Sequence, residues 1–397
     1  MAIVTLVPDV PYIRQNFLPG ITRACHDVRP VFYSDRMSSS WSREDLALRR
    51  HLTESLPRYV EKVHREAGVS LCLLVVYDDF LLPDALIRLR NMGVKVANYT
   101  TDTPTQWYRL IEGAKYYDVI ASAHLAKLEL LAAYCPTLYL PMAADPKDFR
   151  ANNRNANSIE ISEKYLVSFV GGYSPTREQV LVELIRAGIP LSLFGRWRAP
   201  EAGQKRLPFP FRRVAHDVQS YLLPRWRAEG FGPVVAALRR LTSKHLPKVG
   251  RFAMKALGEV CTEARPTFQS SPVPSSDIGD VFRHSLINLG FSQSEGHVGD
   301  PKQPCWIRGR DFEVPASGGF YLVQEAPERD ALFKEGEHVE TWSSVAELIE
   351  KIRYYLNHQE DSRRIARAGH LHAAANHMWR HRMDILLSYL GISNELA

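Results

Sequence analysis

Short apolar runs alternate with stretches of helical period along most of this 397-residue chain. SLCLLVV, from Ser70 to Val76, is short, apolar and β-branched towards its end, the pattern of a buried strand. PDALIRLRNMG follows as a helix, with Pro83 at its start and Gly93 as its stop. VKVANYT then predicts a strand, Trp107 to Ala114 a helix, DVIASA a strand, HLAKLELLAAY a helix and TLYLPMA a closing strand. IVTLVP near the N-terminus has strand character, whereas residues 30–50 show no firm period and Ser38, Ser39 and Ser40 suggest a loop.

The pattern restarts at YLVSFVGG, after the polar stretch ANNRNANSIEISEK, which reads as a linker or surface loop. PTREQVLVELIRAG is a helix with Val180, Leu181, Leu184 and Ile185 on one face, and LSLFG is the next strand. DIGDVFRHS (helix), INLGF and GFYLVQE (strands), ERDALFKEG (helix), HVETW and a helical run from Val345 complete the series. Strand–helix alternation of this kind predicts parallel sheets covered by helices. Length favours two domains. Their expected bounds are 1–150 and 160–370, with a C-terminal helix over 371–397 packing back on the first domain.

Charge changes one part of this picture. The net charge is +6, but Gln204 to Lys255 holds twelve Lys or Arg against Asp217 and Glu229, a local +10 that leaves −4 for the rest. YLLPRW, GPVVAALRRL and VGRFAMKAL mix apolar and cationic residues at near-helical spacing. The segment therefore reads as a basic helical insertion, about residues 200–270. It is either packed amphipathic helices or a contact for an anionic membrane surface. Charge alone permits nucleic-acid binding, but no nucleic-acid motif accompanies it. No apolar run approaches the ~20 residues of a membrane span. MAIVTLVPDVPYIRQ lacks the features of a secretory signal, so a cytoplasmic location is expected. The cysteines Cys25, Cys72, Cys135, Cys261 and Cys305 form no CxxC pair or zinc spacing.

In parallel sheets ligands bind beyond the carboxyl ends of the strands. Gly171 and Gly172 end one such strand, and Pro175, Thr176 and Arg177 open the helix after it. This suits close backbone approach to a phosphate, or else a tight turn needing positive φ. There is no GxGxxG and no P-loop. A denser cluster is RGRDFEVPASGG: Arg308 and Arg310 can fork onto diphosphate oxygens, and Glu313 is an acceptor suited to ribose hydroxyls. Ser317, Gly318 and Gly319 allow close approach; alternatively, Glu313 faces water and the glycines end a helix. Arg196, after LSLFG, joins these donor-side candidates.

RGRDFEVPASGGFYLVQEAPERDALFKEGEHV, ELIEKIRYYLNHQEDSRRIARAGH and NHMWRHR resemble the spore-maturation-protein-like (CgeB-type) glycosyltransferases, as do SFVGGYSPTREQVLVELIRAGIPLSLFG, INLGF and YLPMAADPKDF. The resemblance spans roughly residues 70–200 and 275–385. It implies a GT-B fold, two Rossmann-like domains facing across a cleft, and metal-independent transfer of a sugar, a hexosyl group, from a nucleotide-diphosphate donor. A UDP-sugar is the expected co-substrate, held mainly by the C-terminal half, and no cofactor is expected. The resemblance further implies that Glu313 grips the donor ribose and that Gly171, Gly172 and Arg310 lie near the phosphates. Retaining GT-B enzymes carry a second glutamate eight positions earlier, where this chain has Cys305.

The N-terminal half is then expected to take the acceptor, a glycan, a lipid-linked acceptor or a small molecule. Asp102, in TTDTP, is the candidate base, or else a helix cap. His124 is a second candidate, followed by Asp78 and Asp79, and Asp145 reads as a linker residue. His370, His372, His377 and His381 do not have metal-ligand spacing and are expected on a surface helix. The alternative to an enzyme is a non-catalytic GT-B-like protein that binds a nucleotide sugar or glycan, or acts as a scaffold.

Overall fold

The computed structural model describes residues 2–25, 27–33, 43–76, 81–145, 164–172, 174–195, 226–227, 230, 267–269, 278–293 and 305–393. The expected linker after Asp145, Arg196, Asp78, Asp79 and all but a few residues of the basic insertion lie outside them. Two compact units divide the chain, one reaching Met142 and including the segment from Trp379, the other Ala143–Gln204 and Leu246–Met378. Among the described residues no helix is long and apolar enough to cross a membrane.

The first unit holds strands β1 (Ala2–Pro8), β2 (Asp27–Tyr33), β3 (Val69–Leu74), β4 (Lys95–Thr100), β5 (Val119–Ser122) and β6 (Thr137–Tyr139). They form a parallel sheet in the order β2-β1-β3-β4-β5-β6. Central β3 is paired on both sides and covered on both faces, which is why SLCLLVV is almost wholly apolar. The edge strand β2, DVRPVFY, carries Asp27, Arg29 and Pro30 and is only partly buried. Proline is tolerated there because an edge strand has an unpaired side.

Helices α1 (Leu18–Ala24), α2 (Arg43–Ala67), α3 (Pro83–Asn91), α4 (Thr103–Gln106), α5 (Ile111–Ala114) and α6 (Leu128–Leu131) join these strands. The stretch without a firm period thus contains β2 and the start of α2. Helix α2 buries only a narrow stripe, Leu52, Leu56, Val60 and Val63, beneath a charged surface. The helix expected over Trp107 to Ala114 is a 3-10 turn, Trp107–Arg109, followed by the single turn of α5. HLAKLELLAAY yields only α6, because Lys127 adopts a left-handed φ of 67° just before it.

The second unit holds β7 (Tyr165–Val170), α7 (Pro175–Arg186), β8 (Leu191–Phe194), β9 (Thr267–Gln269), α8 (Ile278–Arg283), β10 (Ser285–Gly290), α9 (Arg310–Ala316), β11 (Tyr321–Gln324), β12 (Glu340–Trp342), α10 (Val345–Asn357) and α11 (Gln359–Asn376). Its sheet runs β12-β11-β10-β7-β8-β9, all parallel, the doubly wound Rossmann order. Val180, Leu181, Leu184 and Ile185 of α7 enter its core with Trp342 and Leu348, as their spacing predicts. ERDALFKEG is not a helix but a series of turns, with Arg329 and Phe333 buried.

Helix α12 (Trp379–Tyr389) belongs to the first unit. Trp379 is 1% exposed, packs edge-on to Phe17 and Tyr99, and donates Nε1–H to Asn16 Oδ1 at 2.8 Å. Gly20 of α1 faces it, and a Cβ there would lie 2.6 Å from the tryptophan. Arg382 donates to the carbonyls of Pro141 and Met142 at 2.8 and 3.2 Å.

The histidines expected on a surface helix are mostly inside. His370 and His377 are buried, and His372 and His377 both bond the carbonyl of Leu332, at 2.7 and 2.9 Å. No group of three His, Cys, Asp or Glu among the described residues is arranged to hold a metal. His370 Nδ1–H donates to the carbonyls of Pro315 and Ala316 at 3.3 and 3.1 Å, tying α11 to the end of α9. Burial, with Arg283 nearby, holds this imidazole below the ordinary histidine range, and burial lowers His338 as well.

Below pH ~6.5 the unfolded chain therefore binds protons that the folded chain refuses, so stability falls as the pH falls from there through the folded values. His370→Gln should flatten the decline of melting temperature between about pH 6.5 and 5. Calorimetric melts across that range check it, and an unchanged slope would contradict the assignment.

Candidate functional site

The strand order of the second sheet reverses between β7 and β10, and in doubly wound folds ligands enter at such a point, beyond the carboxyl ends of the strands. A cavity of about 40 Å³ lies there. Arg177, Arg308 and Arg310 line it together with Phe169, Gly290 and Tyr321, and among the described residues its lining contains no carboxylate.

Each arginine arrives for a local reason. Ser174 caps α7 by accepting the Arg177 N–H at 3.3 Å, which sets Arg177 in the first turn. Its Nη1 donates to the carbonyl of Gly172 at 2.8 Å, while its buried Nε–H finds no acceptor among the described residues. Burial first, then the charges of Arg308 and Arg310, pull this guanidinium down to about 10. Arg308 is anchored by Nε to the carbonyl of Phe291 at 3.1 Å and by Nη2 to that of Ser292 at 3.2 Å. Arg310 bonds Glu313 one turn along α9 and lies 5.4 Å over the ring of Phe282.

Behind the cavity, Asp311 and Arg329 form a pair that is almost wholly buried. Arg329 donates Nε–H and Nη2–H to Asp311 Oδ1 at 2.8 and 2.5 Å. It also reaches the Gln324 carbonyl at 2.6 Å and Ser292 Oγ at 2.8 Å. Asp311 Oδ2 accepts the backbone N–H of Arg308 at 2.9 Å. Gln293 and Gln324 exchange two bonds beside them, 3.0 and 3.1 Å long. One ion pair thus locks the segment after β10, the end of β11 and the entry to α9, the three backbones that place Arg308 and Arg310.

The glycines divide. Neither Gly171 nor Gly172 has positive φ, so the turn reading does not explain them. A Cβ on Gly171 would strike the ring of Phe169 at 2.5 Å, whereas Gly172 has open space and lends its carbonyl to Arg177. Ser317, Gly318 and Gly319 lie at the other end of α9 from the arginines. Gly318 takes a φ of +82° to end the helix, and a Cβ on Gly319 would meet Asn288 at 2.7 Å. Gly318 thus ends the helix, and Gly319 packs against Phe282, Asn288 and Val314, which line the cavity.

In the first unit, Asp102 follows β4, is exposed, and holds the cap position of α4 without a side-chain capping bond. Its neighbour Thr101 accepts His124 Nε2–H at 2.9 Å on the backbone carbonyl, which fixes the histidine tautomer. Ser122 bonds Thr103 at 2.6 Å and both the N–H and C=O of His124 at 3.1 and 2.7 Å. Thr101 to Thr103 and Ser122 to His124, at the carboxyl ends of neighbouring strands, are therefore held together. Asp145 is buried beside the bridge between Ala144 and Met378.

The site's contributors outside the sequence reading are Asp311, Arg329 and Tyr321. Asp311 stands inside the RGRDFE run, where an aspartate after two arginines signals a possible internal partner. Arg329 and Tyr321 sit in segments that resemble an ordinary helix and an ordinary core strand.

In sequence, the model of the glycosyl transferase-like family matches residues 234–388. No curated protein matches the chain. Among solved structures, Anabaena HepE in complex with UDP is similar at 12% identity and a TM-score of 0.54, over 98% of this chain and 100% of that one. Sucrose-phosphate synthase from Thermosynechococcus elongatus is 13% identical, with a TM-score of 0.52 over 98% and 99% of the two chains. A glycosyltransferase from Rickettsia africae is 10% identical, with a TM-score of 0.52 over 99% of each. At such identities the likeness defines the fold: two parallel-sheet Rossmann-like domains of the GT-B class.

Arg329→Met should destabilise the second unit by about 3–5 kcal/mol, because it strands the Asp311 carboxylate in the interior. Adding Asp311→Leu should recover part of that loss, since two apolar side chains leave no buried charge. Urea denaturation of the single and double variants measures both, and a double variant no more stable than the single would refute the buried-pair account.

Proposed function

We propose that this chain is a glycosyltransferase that moves a sugar, most simply a hexose, from a nucleoside-diphosphate donor to an acceptor hydroxyl. The observation that carries the reading is the cavity at the switch point, lined, among the described residues, by three guanidinium groups and no carboxylate. A guanidinium lowered by burial first and by its cationic neighbours second is short of negative charge, and a diphosphate supplies it through charge-assisted, forked hydrogen bonds. The first turn of α7 adds backbone N–H groups and the positive end of its dipole. In this proposal the arginines balance the leaving diphosphate without a metal.

A UDP-sugar is the proposed donor, in keeping with the UDP in the HepE structure. The RGRDFEVPASGGF run places the chain, on this reading, with the spore-maturation-protein-like transferases. Glu313 is the proposed acceptor for the ribose hydroxyls, sharing its carboxylate with Arg310. Asp102 is the proposed base: as the acceptor oxygen bonds the anomeric carbon, the carboxylate takes its proton and the sugar–phosphate bond breaks with its electrons left on the diphosphate. Asp102 is exposed and follows β4, at the carboxyl end of the first sheet, which supports this role.

Arg177→Gln should weaken UDP binding by about 1.5–3 kcal/mol, roughly 10–100-fold, with the circular dichroism unchanged. Calorimetric titration decides it, and parental affinity would mean that the site is misplaced. Asp102→Asn should keep the fold and the donor affinity while turnover falls by roughly 10²–10⁴-fold. Full turnover in that folded variant removes Asp102 as the base.

A further inference from the structure

Tyr321 has a side chain that neither the core nor the arginine cluster explains. It is 3% exposed, stands on β11 and lines the arginine cavity. In the parallel ladder Tyr321 is level with Asn288, and its ring runs along β10 to Gly290, two residues nearer the carboxyl end. A Cβ on Gly290 would lie 2.4 Å from the phenol oxygen and 2.5 Å from Cζ, so the hydroxyl occupies the space that this glycine leaves empty. No described residue forms a hydrogen bond with that hydroxyl. The arginine side chains around the cavity only donate, and so offer the phenol hydrogen no acceptor. Arg177 Nε–H, which lines the same cavity, is a buried donor without an acceptor among the described residues. Buried donors left unpaired are rare in folded proteins, and Arg177 Nε–H beside a phenol hydroxyl that bonds no described residue, both on one cavity, suit an acceptor oxygen there.

We infer that the Tyr321 hydroxyl is an uncharged hydrogen-bond donor to a phosphate oxygen of the bound nucleoside diphosphate. The inference rests on the nucleoside-diphosphate reading of the cavity. Burial raises the phenol well above its ordinary range, with Asp311 adding to the effect, so the O–H stays intact at working pH. It gives a hydrogen bond and transfers no proton. When the sugar–phosphate bond breaks, its electron pair remains on the diphosphate, and a bond donated to the oxygen that gains charge strengthens at that moment. A neutral donor also differs from the arginines in a measurable way. Its contribution survives salt, whereas theirs is screened.

The test is calorimetric titration of UDP into the full-length protein, Tyr321→Phe and Arg177→Gln, each at low and high ionic strength. Tyr321→Phe should bind UDP roughly tenfold more weakly with the parental salt dependence, whereas Arg177→Gln should also flatten that dependence. The ligand-free Tyr321→Phe protein should melt close to the parental temperature, since the hydroxyl it loses bonds no described residue. A structural hydroxyl would instead lower the melt, and that result overturns the inference. So does parental UDP affinity in Tyr321→Phe when Arg177→Gln has lost it, a result that leaves the nucleotide reading standing. If neither UDP, GDP nor dTDP binds the parent protein, the nucleotide reading itself fails and Tyr321 falls with it.

Discussion

The buried pair of Asp311 and Arg329 holds the candidate site in place. Two charges taken out of water cost several kcal/mol each, and their attraction offsets this only when the remaining polar atoms are also satisfied. Here they are: Arg329 reaches the Gln324 carbonyl and Ser292 Oγ, and Asp311 takes the Arg308 N–H. Of these partners Arg308 lines the cavity, and Ser292 follows Phe291, which also lines it. The pair is therefore weak as a source of net stability and strong as a constraint on geometry. It allows α9 to enter the sheet in one way, and that entry brings Arg308 and Arg310 towards Arg177.

Topology supplies the second constraint. Because the second sheet starts at β7 in its middle and grows first one way through β8 and β9, then the other through β10 to β12, the loops at β7 and β10 diverge and leave a crevice. Gly172, Ser174 and Arg177 reach it from one side, and Phe291, Arg308 and Arg310 from the other. Burial lowers Arg177 there, and the neighbouring Arg308 and Arg310 charges lower it further. Folding sustains this arrangement through local anchors, the Gly172 carbonyl for Arg177, the Phe291 and Ser292 carbonyls for Arg308 and the Glu313 carboxylate for Arg310. On the proposed function, such a cluster is an anion site held ready before its ligand arrives.

Much of the frame is legible in the sequence, because buried parallel strands such as SLCLLVV and YLVSFV advertise themselves through unbroken apolar runs. β2 is hidden because an edge strand tolerates Asp27, Arg29 and Pro30, and the opening of α2 because its apolar stripe is narrow. The RGRDFE run exposes the arginines of the site but not their support. Asp311 and Arg329 are 18 positions apart, and only the return of the chain through β11 makes them neighbours. Tyr321 is harder still to find, since a tyrosine in FYLVQ looks like core until Gly290 of the adjacent strand is seen beneath its hydroxyl. Ser317 to Gly319 are legible as a glycine-rich helix end, but the helix-stop φ of Gly318 and the packing of Gly319 against Asn288 appear only in three dimensions.

The central claim is that the arginine cavity is a diphosphate site, and the parent protein alone can test it. Uridine, UMP and UDP, each titrated by calorimetry at the same ionic strength, differ only in phosphate count. Affinity should rise steeply from uridine to UDP, and a saturating excess of UDP, at 100 times its dissociation constant, should stabilise the protein by about 2.7 kcal/mol. Equal affinity for uridine and UDP would contradict the account, because the three guanidinium groups would then have no part in binding.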